Sequence, residues 1–557
     1  MIEKNDFGVL YGQKTTEDAL LIYSSYADSK ASPKTGDFIV LSPRDENGAK
    51  YLARVEAEVY DEDPIFRSQD KTLVAVHYAR IAERELSDRD KQKMFSYTYK
   101  VKILGTFTDN GTKIQFITAV RKLPTVSYHA RHLNKNEVDQ ILNKDNKDGA
   151  EMGYLCIGDD VQESKGKILF DINRLKDKRT MVFAQSGFGK TNLVKVLLYH
   201  IIGDNNYGKL IFDLNGEYFL RGQRNYGLGD INEQKIKDNL VVYSDKNLPS
   251  EYSDRFIFGG KVAMNMYDNL SVSDVLNFTT GFSEVMKSFL VYLNDGNVGD
   301  FMKKIETYAS EPQNLYKDFP DFFGSLKEKK GKAEEFKDEA KARPTIMGIR
   351  KRIGFLLDKE KGLHSDSSTL VVDVFKYLKQ GKTVVIDLSL KDNAEASIIS
   401  TILVRKLFEL NKASYTADKQ NDVIKTVIFV EEAQNVLSEE FVKSNANYFV
   451  RVAKEGRKFG IGMTTITQRP SAISEEIRTQ AENFFAFHMG NSDDIVALVK
   501  SNINYDGVIS KFIQTETIPG NLYMVSSDQA FALPVRVIEF EKLVNDKVYK
   551  ELKFENI

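Results

Sequence analysis

One glycine-containing loop constrains the fold of this chain more than any other stretch. The run Met181-Val182-Phe183 predicts a strand, and apolar residues recur at helical spacing between Leu193 and Leu198. Between the two lies the segment 184–191, AQSGFGKT. Glycines in such a loop let backbone N–H groups curl around a phosphate, and the positive end of the following helix adds to the attraction. The stretch therefore predicts a strand, a phosphate-binding loop and a helix.

The loop assigns a nucleotide and a cation to particular residues. A lysine in this place reaches the β- and γ-phosphates, and the next hydroxyl ligates Mg²⁺. These roles fall to Lys190 and Thr191, so ATP and Mg²⁺ are the expected cofactors. The usual pattern has glycine where this chain has Ala184. The residues expected to bind the nucleotide are Ser186, Gly187, Phe188, Gly189, Lys190, Thr191 and Asn192.

Two carboxylates follow a second apolar run. Val427-Ile428-Phe429-Val430 leads directly into Glu431 and Glu432. A buried strand that ends in acids is typical of the metal side of a phosphate-loop ATPase: one acid holds Mg²⁺ and its neighbour orients or deprotonates the attacking water. We assign Glu431 to Mg²⁺ and Glu432 to the base, although Asp is more usual at the first position.

Two more polar residues end apolar runs, and each has an alternative role. Asp213, followed by Glu217, is expected to face the nucleotide or its attacking water, or else only to cap the next turn. Gln468 follows the strand-like run Ile461–Thr467. It is expected to sense the γ-phosphate, with local backbone hydrogen bonding as the alternative.

Two arginines lie on a segment, Glu440–Phe459, that is predicted to be one helix ending at Gly460. Arg457 is expected to reach the nucleotide of a neighbouring subunit, with simple ion pairing as the alternative. Arg451 is the competing candidate for the same role.

The N-terminal part differs in pattern from the rest of the chain. Short alternating runs separated by Asn-Gly and similar breaks predict a small β-barrel. Basic and aromatic residues do not concentrate on one strand face, so oligomerisation or gating is favoured over direct nucleic-acid binding. The predicted strands are Phe7–Tyr11, Asp37–Leu41, Tyr51–Tyr60, Leu73–Glu83, Ser96–Phe107 and Lys113–Ile117.

The predicted division has five parts. They are a barrel at 1–126, a linker at 127–165, the first part of an α/β core at 166–270, a helical insertion at 271–365, and the second part of the core with C-terminal strands at 366–557. The insertion is rich in both bases and acids, which favours a solvated helical face over a DNA-facing element.

Composition limits the class of protein. The chain has 557 residues, of which 42% are hydrophobic and 28% charged, as in ordinary globular proteins, and its net charge is −2. DNA contact would therefore need local basic clusters or a surface assembled from several subunits. The single cysteine, Cys156, excludes an intrachain disulfide and indicates a reducing cytoplasm. No signal peptide and no apolar run of about 20 residues is visible, so no membrane association is expected.

The order of these motifs resembles that of the HerA-like ATPases, a branch of the FtsK/HerA group of P-loop motor proteins. The segments that carry the resemblance are Phe170–Leu175, Asp213–Tyr218, Val385–Ser389, Val430–Asn435, and Glu455–Gly460 together with Gln468-Arg469-Pro470. The last two of these are the most specific. The family usually has His where this chain has Gln434.

The resemblance implies an α/β fold with a RecA-like P-loop NTPase core behind a HAS-barrel-like N-terminal domain. It implies a homo-hexameric ring with ATP between subunits and double-stranded DNA in the central pore. It also implies a partner, either a nuclease such as NurA or an effector of anti-phage defence such as a sirtuin-like subunit. Arg457 would act in trans; Lys190, Thr191, Asp213, Glu431, Glu432 and Gln468 would act in cis.

Three functions remain open at this point. The first is an ATP-hydrolysing DNA translocase with helicase-like activity. The second is an ATP-switched scaffold that assembles and activates an effector without processive translocation. The third, a conjugation or secretion ATPase, is disfavoured by the N-terminal barrel and by the lack of an apparent membrane segment. Stimulation of ATP hydrolysis by DNA would separate the first two.

Overall fold

The structure is a computed structural model. It describes residues 6–13, 20–25, 33–43, 48–60, 96–144, 149–221, 225–279, 281–292, 295–307, 339–358, 362–444, 447–527, 529 and 531–549. The chain forms two compact units. The first comprises Met1–Ile172, Phe183–Lys190 and Asn483–Glu539; the second comprises Asn173–Val182, Thr191–Glu482 and Phe540–Ile557.

The N-terminal part of the first unit is a closed antiparallel barrel. Its strands are β1 (Asp6–Gln13), β2 (Leu20–Ser25), β3 (Phe38–Ser42), β4 (Lys50–Tyr60), β5 (Ser96–Asp109), β6 (Ile114–Ile117) and β7 (His129–His132). Six of them form the ring β2-β1-β7-β3-β4-β5, which the pairing of β2 with β5 closes, and β6 extends β5. Side chains such as Phe7, Ile22 and Val101 fill the interior. The predicted barrel is thus confirmed.

The rest of the first unit contains a second group of antiparallel strands. They are β8 (Ala150–Ile157), β9 (Asp160–Val161), β10 (Lys167–Phe170), β18 (Asn483–Ala486), β19 (Asn521–Val525) and β20 (Leu533–Val537), in the order β10-β8-β20-β19-β18, with β9 beside β8. Its helices are α1 (Lys135–Glu137), α15 (Ser492–Ser501) and α16 (Val508–Thr515).

The second unit is built on strands that are mostly buried. They are β11 (Arg179–Phe183, whose last residue belongs to the first unit), β12 (Gly208–Asp213), β13 (Leu240–Tyr243), β14 (Ile257–Gly260), β15 (Thr383–Asp387), β16 (Thr426–Val430) and β17 (Ile461–Thr467). Their order is β11-β17-β16-β12-β15-β13-β14, and the six from β17 to β14 pair in parallel. In such a sheet, the ends of β12, β15, β16 and β17 meet at one edge, where ligands bind.

Helices follow these strands, as parallel connections require. Those of the second unit are α2 (Lys190–Ile201, whose first residue belongs to the first unit), α3 (Gln234–Asn239), α4 (Met266–Asn269), α5 (Val272–Phe278), α6 (Glu284–Tyr292), α7 (Asp295–Thr307), α8 (Glu339–Ile353), α9 (Leu370–Lys379), α10 (Asn393–Thr416), α11 (Gln434–Leu437), α12 (Glu439–Ser444), α13 (Tyr448–Glu455), α14 (Glu475–Arg478) and α17 (Phe540–Val544). Among the described helices, none has both the length and the apolarity needed to cross a membrane.

The structure departs from the sequence prediction in three places. Strand β2 is not among the predicted strands, and β7 falls in the predicted linker because its sequence, HARH, is mostly polar. Ala130 of β7 nevertheless lies in the barrel core, and Arg131 pairs with buried Glu137. The single helix predicted at Glu440–Phe459 is instead α12, α13 and a 3₁₀ turn. The predicted strand Leu73–Glu83 lies outside the described residues.

Candidate functional site

The phosphate-binding loop has the backbone conformation that its glycines allow. Gly187 and Gly189 have φ angles of 84° and 105°, in the left-handed region that glycine reaches at little cost. The Phe188 ring lies 4.4 Å from the His488 imidazole, centroid to centroid, and the Phe188 carbonyl accepts a hydrogen bond from Gly520 N. Ser186 and Gly187 are exposed. Residues 483–539 of the same unit therefore support a loop whose tip is open to solvent.

Thr191 lies in the second unit, near the start of α2. Its hydroxyl donates a hydrogen bond to the Glu217 carboxylate, Oγ1 to Oε2, at 2.8 Å. Glu217 is exposed. Asn192 uses its side chain differently, because its Oδ1 accepts a hydrogen bond from Phe540 N at 2.7 Å. Thr191 thus presents its hydroxyl to a carboxylate, whereas the Asn192 side chain anchors a C-terminal segment.

Asp213 makes the hydrogen bonds of a turn cap, which is the alternative role expected from the sequence. Its side chain is fully buried at the end of β12. Its Oδ1 accepts hydrogen bonds from Gly216 N at 2.7 Å and Glu217 N at 3.1 Å, and its Oδ2 accepts one from Tyr218 N at 3.0 Å. Burial raises the pKa of Asp213 to about 6, against the effect of these three donors. Asp213 therefore contributes to the site by fixing the loop 214–218.

The loop 214–218 holds Glu431 in place. The Tyr218 hydroxyl donates to Glu431 Oε1 at 2.6 Å, and Asn215 Nδ2 lies 3.5 Å from Oε2. Burial, with a smaller contribution from the charge of Asp213, raises the pKa of Glu431 to about 7. A buried carboxyl group whose pKa is raised further by a neighbouring acid indicates a place where a cation would be stabilised.

Glu432 is fixed by two glutamines. Gln468 Nε2 donates to Glu432 Oε1 at 2.9 Å, and Gln434 Nε2 donates to Glu432 Oε2 at 2.6 Å. Gln434 is oriented in turn by the Thr467 hydroxyl, which donates to its Oε1 at 2.6 Å. The predicted sensor and the predicted base are therefore in direct contact, at the ends of the adjacent strands β17 and β16.

The backbone of Glu432 is strained. Its φ angle is 45°, in the left-handed region that residues with a side chain rarely occupy. Such a conformation costs about 1–3 kcal/mol and persists only where its surroundings enforce it. The two glutamine contacts and the strain together indicate that the direction of this carboxylate matters more than local stability.

The two candidate arginines lie in different surroundings. The Arg457 side chain is 64% exposed and pairs with Glu482 Oε1 at 3.3 Å. Arg451 lies over the Tyr448 ring, with its guanidinium carbon 4.7 Å from the ring centroid. A surface ion pair of this kind is worth less than about 1 kcal/mol, so Arg457 can leave Glu482 at little cost.

The residues present fit a phosphate-bound Mg²⁺ ion. The described residues contain no group of three or more His, Cys, Asp or Glu side chains arranged to hold a metal by themselves. A cation in this site would therefore share its ligands between the protein and the phosphates, as Mg²⁺ does. The Thr191 hydroxyl and the nearby carboxylates of Glu217 and Glu431 supply the oxygen donors that Mg²⁺ prefers.

Comparison with known proteins shows what this chain is similar to. Residues 155–407 match the family model described as "Helicase HerA, central domain". The chain is therefore similar to the HerA-like P-loop ATPases, although this family model covers less than half of its length. It is 26% identical over 427 residues to the DNA double-strand break repair helicase HerA of Pyrococcus furiosus, a match that covers 71% of this chain and 70% of that protein.

Two further matches are more distant. A probable helicase of Methanocaldococcus jannaschii is 21% identical over 468 residues, covering 82% of this chain and 77% of its own. VirB4 of Thermoanaerobacter pseudethanolicus matches at 14% identity with a TM-score of 0.40, over 71% of this chain and 97% of that one. The structural match is too distant to bear on the choice between kinds of motor.

Several site residues of this HerA-like ATPase were not identified from the sequence. Gln434 was noted only as a departure from the family's His, and Thr467 only as the end of a strand. Tyr218 and Asn215 were parts of a motif with no role assigned. The signal for Gln434 was available, since an amide two positions after the base is close enough to orient it. Tyr218 gave no comparable signal, because an aromatic residue after a strand is usually core.

Proposed function

We propose that this HerA-like ATPase is an ATP-driven motor that moves double-stranded DNA through a homo-hexameric ring. We further propose that it works with a nuclease or with a defence effector. The relatives that are described as helicases support the DNA substrate. A cytoplasmic location belongs to the same proposal, as does the five-part division of the chain with β7 moved from the linker to the barrel.

The hold on Glu432 is the observation that most supports hydrolysis. A carboxylate whose two oxygens are fixed by Gln468 and Gln434 is aimed before the substrate arrives. Such preorganisation favours proton removal from one water in one direction, in line with the γ-phosphate. Gln468 contacts the base directly, so loss of the γ-phosphate is proposed to change the position of this amide first.

Nucleotide binding falls to the loop that precedes Thr191. Backbone N–H groups of Gly187 to Gly189 and the Lys190 ammonium are proposed to bind the phosphates, with the Thr191 hydroxyl on Mg²⁺. When bound, Mg²⁺ neutralises charge on the β- and γ-phosphate oxygens. Glu431, held by Tyr218, is proposed to orient the water shell of the ion.

Assembly into a ring would overcome the weak overall charge. One chain has a net charge of −2, so a single copy attracts DNA poorly. If several subunits each place one basic cluster in a channel, the ring neutralises more DNA phosphates than one subunit does. The affinity for DNA rises with the number of phosphates neutralised. The exposed guanidinium of Arg457 supports a role at the nucleotide of a neighbouring subunit.

The rate of ATP hydrolysis with and without duplex DNA tests the motor. A translocase should be stimulated several-fold by duplex DNA, and mass determination with ATP present should find a hexamer. If DNA has no effect and a co-purifying protein changes the rate instead, the ATP-switched scaffold is the better description. A monomer in the presence of ATP would contradict the ring.

A further inference from the structure

The carboxylate that accepts the Thr191 proton is not the one assigned to Mg²⁺ from the sequence. Thr191 Oγ1 donates to Glu217 at 2.8 Å. Glu431, the acid at the end of β16, receives instead the Tyr218 hydroxyl at 2.6 Å and Asn215 Nδ2 at 3.5 Å. Residues of the loop 214–218 therefore contact both the threonine and the strand-end acid, and the loop contributes a carboxylate of its own.

The direction of the Thr191 hydroxyl decides whether it can bind a metal. A hydroxyl has one proton and two lone pairs. If the proton is given to a carboxylate, the lone pairs are left for a cation and the oxygen becomes a better ligand. The hydrogen bond to Glu217 produces this arrangement before Mg²⁺ arrives.

The backbone around Glu217 is fixed even though its side chain is exposed. Its N–H and those of both neighbours donate to buried Asp213. Gly216 has a φ of 71°, and a Cβ at this position would collide with Lys246 Nζ and lie 2.9 Å from Ser389 Oγ. Asp213 thus fixes the backbone of the loop, and Lys246 and Ser389 leave little space beside it. This positions the Glu217 carboxylate next to the Thr191 hydroxyl.

We propose that Glu217 is a positioning residue for Mg²⁺ in this ATPase, acting through the Thr191 hydroxyl. The inference rests on the proposed Mg²⁺–ATP site and adds a residue to it. It also predicts opposite effects with and without the metal. Without Mg²⁺, a carboxylate near the phosphates repels them; with Mg²⁺, it strengthens a ligand of the ion.

Binding of a fluorescent ATP analogue to Glu217→Gln, in EDTA and across a Mg²⁺ titration, separates these effects. The amide keeps the size of the side chain but loses its charge. We expect the half-saturating Mg²⁺ concentration to rise about 10-fold. Affinity in EDTA should stay within about twofold or become tighter. Glu251→Gln, at an exposed glutamate elsewhere in the second unit, is the matched control and should change neither value.

Each other outcome overturns the inference. An unchanged Mg²⁺ requirement would show that Glu217 does not act on the metal. An equal loss of affinity with and without Mg²⁺ would show that the substitution only damages the loop. If the unaltered protein binds no nucleotide under either condition, the proposed ATP site fails and this inference fails with it.

Discussion

The two glutamines that hold Glu432 give the most quantitative prediction. A hydrogen bond to a charged group contributes about 1.5–3 kcal/mol. We expect loss of the Gln468 contact to raise the activation free energy of hydrolysis by about 1.5–2 kcal/mol. The effect lies in the lower part of the range for such a hydrogen bond because Gln434 still holds the other oxygen of Glu432. Gln468→Ala should then lower kcat for ATP hydrolysis about 10- to 30-fold. Its effect on KM should be small, since the contact is to the base and not to the nucleotide.

A double-mutant cycle shows whether the two amides act through one carboxylate. Gln434→Ala should lower kcat by a similar factor. The double variant should fall short of the product of the two effects, because both contacts act on the same group. Steady-state ATPase rates at saturating ATP measure all three variants. Gln420→Ala, at an exposed glutamine in a 3₁₀ turn, is the control and should stay within about twofold of the unaltered protein.

Two results would refute this reasoning. If the two substitutions multiply, the glutamines do not share Glu432 as their point of action. If either substitution raises KM and leaves kcat unchanged, that glutamine binds the nucleotide and does not orient the base.

Three further substitutions test separate parts of the site. Asp213→Asn should lower the free energy of unfolding by about 2 kcal/mol in urea, since the amide cannot accept from all three backbone donors; an unchanged unfolding midpoint would argue against the capping role. Gly216→Ala should lower it by about 1–2 kcal/mol through its φ of 71° and should reduce ATP hydrolysis; full activity would show that the loop tolerates displacement. Arg457→Ala should cost less than about 1 kcal/mol of stability but abolish hydrolysis and leave ATP binding intact; hydrolysis at the usual rate would exclude the role in trans.

The sequence was most informative where chemistry and periodicity agree. The loop between β11 and α2 needs glycines, a lysine and a hydroxyl in fixed order, and its flanks carry strand and helix patterns. Strand β17 was predicted with the bounds Ile461–Thr467 that the structure shows, because the run is continuous and ends in polar residues. The pair Glu431 and Glu432 was predicted because it likewise follows a continuous apolar run, Val427–Val430.

The sequence was least informative where long-range pairing decides the structure. The polar strand β7 is ordered by hydrogen bonds to β1 and β3, which no local pattern reveals. The contact between Tyr218 and Glu431 joins residues 213 positions apart. The division of labour between Glu217 and Glu431 likewise depends on how the loop 214–218 folds back on the strand ends, which no spacing in the sequence shows.

The proposed function depends above all on one step, in which a nucleotide bound beside Thr191 is hydrolysed with Glu432 as the base. Its most direct test is to measure bound nucleotide and product together in Glu432→Gln, supplied with ATP and Mg²⁺. We expect this variant to retain ATP with an affinity close to that of the unaltered protein while releasing ADP at least about 100-fold more slowly. Release of ADP at the usual rate, or failure to retain any ATP, would contradict it.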